Sequence, residues 1–227
     1  MSSLSKPAPL GWSAPAWACV VLIGIVAPAA AILLVSHEAS PLPVASGVGP
    51  IIAIGLMGSG MIAAAATGRF AIGVFLALAT VVALLLLAQT VGLPQLPNLL
   101  TFGLAVFVAS ISFAARGALF AKSTPGKGWW IAVFVVAGEA AIVLTALAQP
   151  DALPDWLLAL LPAQWANMAI QAAFTGIGMF AAWAALLALG GTGAATLLVA
   201  RLWPSRWPYL VMFTTWLGMS ALVYYQS

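Results

Sequence analysis

The sequence is dominated by apolar stretches that are long enough to cross a lipid bilayer, and this feature decides what the chain can fold into. A membrane-spanning helix needs about 20 predominantly apolar residues, and all its backbone polar groups bond within the segment. Seven stretches meet this requirement, and the sixth can continue as a helix to Leu202. Their approximate bounds are 15–35, 48–67, 70–91, 99–120, 129–148, 165–189 and 209–225.

Charged side chains are too few to give this chain a water-exposed surface. They make up 5% of the 227 residues, and hydrophobic residues make up 64%, whereas a soluble domain carries about 25% charged residues. The chain therefore uses lipid as its solvent, which excludes soluble enzyme domains. We predict an all-α integral membrane protein, a single domain over residues 1–227 built as a bundle of seven transmembrane helices.

The positions of the basic residues predict the orientation of this bundle. Cations near the ends of spans are retained in the cytoplasm, and a seven-span arrangement puts every Lys and Arg on one side. The other side carries Glu38, Asp151 and Asp155. We therefore expect the N-terminus in the cytoplasm and the C-terminus outside. The cations are Lys6, Arg69, Arg116, Lys122, Lys127, Arg201 and Arg206.

The loop between the fifth and sixth spans contains a second apolar segment. Asp155 follows a proline and is a typical helix-capping residue, so a helix is predicted to start there. The segment 156–161 is too short to cross the membrane. We predict a short interfacial helix that lies flat in the outer interface or dips back into the bundle. It serves as an outer cap or, alternatively, as a substrate gate.

Glu139 is the candidate functional residue with the strongest argument. It lies about ten residues into the fifth span, near the middle of the bilayer at ~1.5 Å of rise per residue. An acidic side chain at that depth costs about 2.5–3.5 kcal/mol on insertion scales and is a functional candidate by default. Glu139 is expected to carry a proton, bind a cation or hold a ligand. The alternative is a structural acid that joins helices, with Gly138 permitting close approach.

Two polar residues of the sixth span are predicted to accompany Glu139. Gln171 and Thr175 lie one helical turn apart on the same face. If the fifth and sixth spans are neighbours, both side chains can converge on Glu139 as ligand-binding or proton-binding groups. Ordinary hydrogen bonds between helices are the alternative explanation.

Small residues at four-residue spacing predict where helices pack closely. Gly55, Ser59 and Ala63 form such a face on the second span, and Gly176 belongs to one on the sixth. A face of this kind lets another helix backbone approach. The pattern indicates tight packing within the chain or between copies of it.

Groups for catalysis are missing. Cys19 and His37 are the single cysteine and histidine of the chain, so no cysteine or histidine metal cluster is expected. No Ser–His or Cys–His arrangement and no pair of catalytic carboxylates can be assembled. Seven cations are too few for a nucleic-acid surface. We therefore disfavour an enzyme and predict no catalytic residue, metal or cofactor.

The sequence favours a non-catalytic subunit or an assembly or scaffold component of a larger membrane complex, with other membrane subunits or a second copy as partners. One alternative is a small proton-coupled carrier or channel that uses Glu139. Another is a membrane protein that binds a lipid, quinone or pigment. The abundance of Ala, Gly, Pro and Trp is typical of GC-rich bacteria, and the expected location is the inner (cytoplasmic) membrane.

Overall fold

The protein is described here by a computed structural model that covers residues 13–37, 44–92, 98–149, 152–175 and 178–226. Within these ranges the regular structure is entirely helical. A π-helical turn at Leu22–Val26 joins α1 to α2, whose second residue is Pro28. The helices are α1 (Ser13–Val21), α2 (Ala27–His37), α3 (Val44–Thr67), α4 (Phe70–Thr90), α5 (Leu99–Ser123), α6 (Gly128–Ala148), α7 (Asp155–Ala159), α8 (Pro162–Phe174), α9 (Met179–Arg201) and α10 (Trp207–Tyr224).

Six helical segments in the described ranges are long and apolar enough to cross a membrane. The first five confirm the first five predicted stretches, with ends that agree within three residues. The first of them combines α1, the π-helical turn and α2. The six segments are Ala14–Ser36, Gly47–Thr67, Phe70–Thr90, Leu99–Ser123, Gly128–Ala148 and Met179–Arg201.

The predicted sixth span, 165–189, is wrong because the helix breaks inside it. α8 ends at Phe174, and Gly178 has a φ of 78°, a left-handed conformation that favours glycine. The long apolar helix starts only at Met179 and continues to Arg201. The prediction was right that the helix continues past the glycines at 190–193, and wrong about where it begins.

The predicted seventh span coincides with α10, an 18-residue helix. It is not among the six segments identified by length and hydropathy. Tryptophan, tyrosine and threonine side chains along α10 lower the mean hydropathy of this helix. The rings of the tryptophans and tyrosines nevertheless suit a membrane interface.

α3 forms the centre of the fold, and an 18-residue apolar stretch of this helix is buried throughout. Glycines bring its neighbours into backbone contact. A Cβ on Gly73 of α4 would lie 2.5 Å from the carbonyl oxygen of Gly60. A Cβ on Gly117 of α5 would overlap the carbonyl oxygen of Met61. α3 therefore packs against α4 and α5 at distances that larger residues do not permit.

The small face predicted on α3 packs against the first helical segment. A Cβ on Gly24 would lie 2.8 Å from the backbone nitrogen of Ser59, and one on Gly55 would lie 3.2 Å from Pro28. The Ser59 hydroxyl donates a hydrogen bond to the Gly55 carbonyl at 2.8 Å. Ala63 is fully buried on the same helix.

The two other glycines predicted to pack have different outcomes. Gly138 is exposed on α6, and a Cβ added there meets no atom within 4 Å, so among the described residues it lies at no close helix contact. Gly176 lies outside the described residues.

α8 starts beside the middle of two long helices. The backbone nitrogen of Ala163, in its first turn, contacts Glu139 of α6. The carbonyl of Leu160, just before α8, accepts a hydrogen bond from the indole of Trp216 in α10. The turn between α7 and α8 is therefore inserted between α6 and α10, halfway along both.

α8 then runs to the end of the bundle where α3 and α5 begin. Near its C-terminus, Gln171 lies against Gly49 of α3, and the ring of Phe174 packs edge-on to Phe102 of α5 at 5.9 Å. α8 has 13 residues and is about 20 Å long. It therefore extends through only part of the bundle.

α9 runs in the same direction as α5. Gly193 packs against Ser112, and the ammonium group of Lys122, near the C-terminal end of α5, donates to the carbonyl of Ala200 near the C-terminal end of α9. At the opposite end, Gly178 lies near Asn98. α8 therefore leads to the end of the bundle at which α9 begins, and α9 leads away from it.

Candidate functional site

Glu139 is directed at the first turn of α8. Its Oε2 atom accepts a hydrogen bond from the backbone nitrogen of Ala163 at 2.8 Å, and the side chain is partly buried. The first N–H groups of a helix have no partner within the helix, and the helix dipole makes this end electropositive. A carboxylate from α6 therefore caps α8, halfway along α6.

Gln171 and Thr175 lie away from this capping contact. Gln171 is eight residues beyond Ala163, about 12 Å along α8, and it packs against Gly49. The hydroxyl of Thr175 donates to the carbonyl of Gln171 at 3.0 Å. The structure does not bring these two residues to Glu139, because α8 starts at Glu139 and runs away from it.

Arg116 of α5 is the charged residue that sequence reasoning did not connect with Glu139. The two side chains are close enough to attract each other electrostatically. The fourth span was expected to end at Phe120, which placed Arg116 near the cytoplasmic boundary, but α5 continues to Ser123. Arg116 therefore lies seven residues, or about 10 Å, from the end of its helix. The basic residue Lys122 lies in the last turn of α5 and is the sequence feature that could have indicated that the helix ends later than Phe120.

The guanidinium of Arg116 is held against α9. Its Nη2 atom donates to the hydroxyl of Thr192 at 3.1 Å, and its central carbon lies 5.5 Å from the ring centre of Phe113. The Nη1 atom is buried and has no hydrogen-bond partner among the described residues. Both N–H groups of Nη1 therefore lack an acceptor within the described ranges.

A cavity of about 220 Å³ is lined in part by Arg116 and lies between α5, α9 and α10. Apart from Arg116 and two threonines, its walls are aliphatic or aromatic. Phe213 on the α10 side is 54% exposed, so the cavity reaches the outer surface of the bundle. Its lining residues are Arg116, Leu119, Phe120, Thr192, Thr196, Met212, Phe213 and Trp216.

Two indole groups fix the turn between α7 and α8. Trp165 donates to the carbonyl of Ala159 at 2.8 Å, and Trp216 donates to the carbonyl of Leu160 at 3.2 Å. Trp165 is fully buried, since it follows the inserted turn. Trp216 also lines the cavity, so the same side chain contacts both the turn and the cavity.

Acidic, cysteine and histidine side chains in the described ranges form no group of three that could hold a metal ion. The site therefore consists of one acid, one arginine, helix-end N–H groups and an apolar cavity. Comparison with known protein families, curated proteins and solved structures finds no match.

The arrangement can exchange a proton at Glu139 and bind an acceptor group at Arg116. The carboxylate at the start of α8 and the guanidinium influence each other through their charges. A change at one therefore alters the electrostatic environment of the other.

Proposed function

We propose that this protein is a small proton-coupled carrier or channel of the membrane, with Glu139 as the group that binds and releases the proton. The observation that carries the proposal is the hydrogen bond from Ala163 to Glu139 at the start of a half-length helix. In many transporters, half-helices start near the bilayer midplane and their N-termini bind charged groups. An acid inside the membrane is itself a functional candidate, because placing an ionisable group there is costly.

The proposal includes seven crossings with the N-terminus in the cytoplasm and the C-terminus outside. The crossings are the six long apolar segments and α10, and α7 with α8 forms a re-entrant hairpin that opens to the outer side. Every Lys and Arg then lies toward the cytoplasmic side, in agreement with the distribution expected from membrane insertion. The location proposed is the inner membrane of a bacterium.

Protonation of Glu139 couples proton binding to the contact that holds the turn between α7 and α8. The ionised carboxylate neutralises the electropositive end of α8, whereas the neutral acid does not. Proton binding therefore weakens the contact that holds the inserted turn between α6 and α10. A solute that approaches from the outer side then meets a looser turn and an N-terminus without its anion.

Proteoliposomes containing an internal pH-sensitive dye test the proposal. Proton flux is driven by a potassium diffusion potential, first without solute and then with 1-octanesulfonate, an anion that cannot itself carry protons. Wild-type protein should move protons in at least one condition, and Glu139→Gln should move none in either. Asp155→Asn, which changes an exposed acid of α7, is the control and should resemble wild type.

Two results would contradict the carrier. One is wild-type flux equal to that of empty liposomes in both conditions. The other is Glu139→Gln flux equal to wild type. The second comparison requires a correctly folded Glu139→Gln protein, checked by its elution as a single species in detergent.

One specific observation supports the alternative hypothesis that the protein is a subunit of a membrane complex. The membrane-length segment of α6 is only 17% buried, and it exposes Ala137, Gly138 and Ala141. Small exposed residues allow another membrane helix to pack closely, so a second copy or another subunit fits this face. Native mass spectrometry after extraction in mild detergent tests it, and a monomer without a stable partner would count against it.

A further inference from the structure

The unused donor of Arg116 requires an acceptor. A buried hydrogen-bonding group without a partner is costly, and more so when it is charged. In the part of the chain that the structure describes, the nearby acid Glu139 instead accepts the N–H of Ala163. The hydroxyl of Thr192 accepts a hydrogen bond from Nη2 and itself donates to the carbonyl of Ala188 at 2.6 Å. Among the described residues Nη1 therefore has no acceptor, and the same residue, Arg116, also lines the cavity.

The cavity beside Arg116 restricts what can bring an acceptor oxygen. Its volume of about 220 Å³ exceeds the ~150 Å³ of an engineered cavity that binds benzene, so it accommodates an apolar group. Leu119, Met212 and Trp216 offer this group hydrophobic contact. The half-exposed Phe213 marks the side on which a longer chain can leave the cavity toward lipid.

We infer that the Arg116 cavity binds an amphipathic anion: a single carboxylate, sulfonate or phosphate headgroup that pairs with Arg116, and an apolar tail that occupies the cavity. Its role as the transported substrate rests on the proposed carrier function, whereas its binding does not. Cations are repelled by Arg116, and the apolar walls disfavour small hydrophilic anions, which lose their hydration there without gaining contacts.

Charge links this site to Glu139. The carboxylate attracts the same guanidinium that the headgroup would bind. Neutralising Glu139 therefore leaves more of the positive charge of Arg116 for the ligand. Binding of the anion should accordingly be at least as tight in Glu139→Gln as in wild type.

Equilibrium binding measures the inference directly. Protein in nanodiscs of phosphatidylcholine is titrated with radiolabelled 1-dodecanesulfonate, a free amphipathic anion, and binding is separated from partition by subtracting empty nanodiscs. We expect saturable binding to wild type and a loss of about tenfold or more in affinity in Arg116→Gln, the scale of a hydrogen bond to a charged group. Arg69→Gln, at an exposed arginine, is the matched control and should bind as wild type does.

A second variant separates the cavity from the charge. Thr196→Phe keeps Arg116 but fills the space next to it, and it should also lose binding. In competition, 1-dodecanol should fail to displace the label because it lacks the anion, and methanesulfonate should fail because it lacks the tail. Displacement by a short-chain phosphatidic acid would identify a lipid headgroup as a second source of the same chemistry.

The inference is overturned if Arg116→Gln binds the label as wild type does, if dodecanol competes equally well, or if methanesulfonate displaces the label at similar concentration. Saturable binding that persists in Glu139→Gln without any proton flux in wild type would retain the anion site and reject the carrier. Proton flux in wild type without saturable anion binding would retain the carrier and reject the anion site. The two proposals therefore fail separately.

Discussion

The carboxylate of Glu139 accepts the backbone N–H of Ala163 at 2.8 Å, which joins the middle of α6 to the first turn of α8. This hydrogen bond connects residues that are 24 positions apart and orients the start of a helix inside the bundle. The acid thus has a structural contact that can be tested apart from any proton transfer.

Replacing Glu139 by Leu should destabilise the protein more than replacing it by Gln. Both substitutions remove the acid, but only Gln retains a carbonyl oxygen that can accept the N–H of Ala163. The difference should be about 1–3 kcal/mol, the cost of leaving a buried donor unpaired. Thermal unfolding of the two variants in the same detergent measures it, and equal stabilities would show that the capping bond contributes nothing.

Gly117→Ala should separate α5 from α3. The added methyl group overlaps the carbonyl oxygen of Met61, and overpacking of a close contact typically costs about 1–3 kcal/mol. Gly103→Ala on the same helix is the control, because its Cβ meets no atom within 4 Å. That change should be neutral or stabilising by up to about 1 kcal/mol, since alanine is the better helix former. Unfolding in detergent should rank the two variants in this order.

Trp216→Phe should loosen the turn between α7 and α8. The phenyl ring keeps most of the apolar contact but lacks the N–H that donates to the carbonyl of Leu160. Hydrogen–deuterium exchange over residues 155–162 should rise, consistent with the loss of about 0.5–1.5 kcal/mol. Trp130→Phe, on the exposed side of α6, should leave exchange in that segment unchanged. An unaltered segment in Trp216→Phe would mean that the turn is held by other contacts.

The first five membrane-length helices could be predicted because an apolar run of that length has few alternatives to a helix. The break at Gly178 could not be predicted in the same way. The segment from Trp165 to Leu189 is apolar on average, and glycine is frequent in membrane helices. The conformation of Gly178 depends on how α8 packs against α3, α5 and α9, which no local pattern specifies.

The candidate site could be predicted only in part, because the sequence of one span does not specify its contacts with other helices. Depth in the membrane follows from position in the sequence, so Glu139 could be singled out from its span alone. Its contact with Ala163 and its proximity to Arg116 depend on the rotation and offset of different helices. Gln171 shares a stripe with Thr175 as predicted from the helical period, but the direction of α8 carries both away from Glu139.

Labelling at the two ends of α10 decides whether this helix crosses the membrane. In a Cys19→Ala background, Ser205→Cys and Gln226→Cys place single thiols at exposed positions before and after α10. A membrane-impermeant maleimide added to intact cells should modify Gln226→Cys and should reach Ser205→Cys only after permeabilisation. Ala152→Cys, in the loop before α7, should react like Gln226→Cys, because both lie on the proposed outer side. If the thiols at 205 and 226 react equally in intact cells, α10 does not cross, and the number of spans and the side on which α7 and α8 enter have to be assigned again.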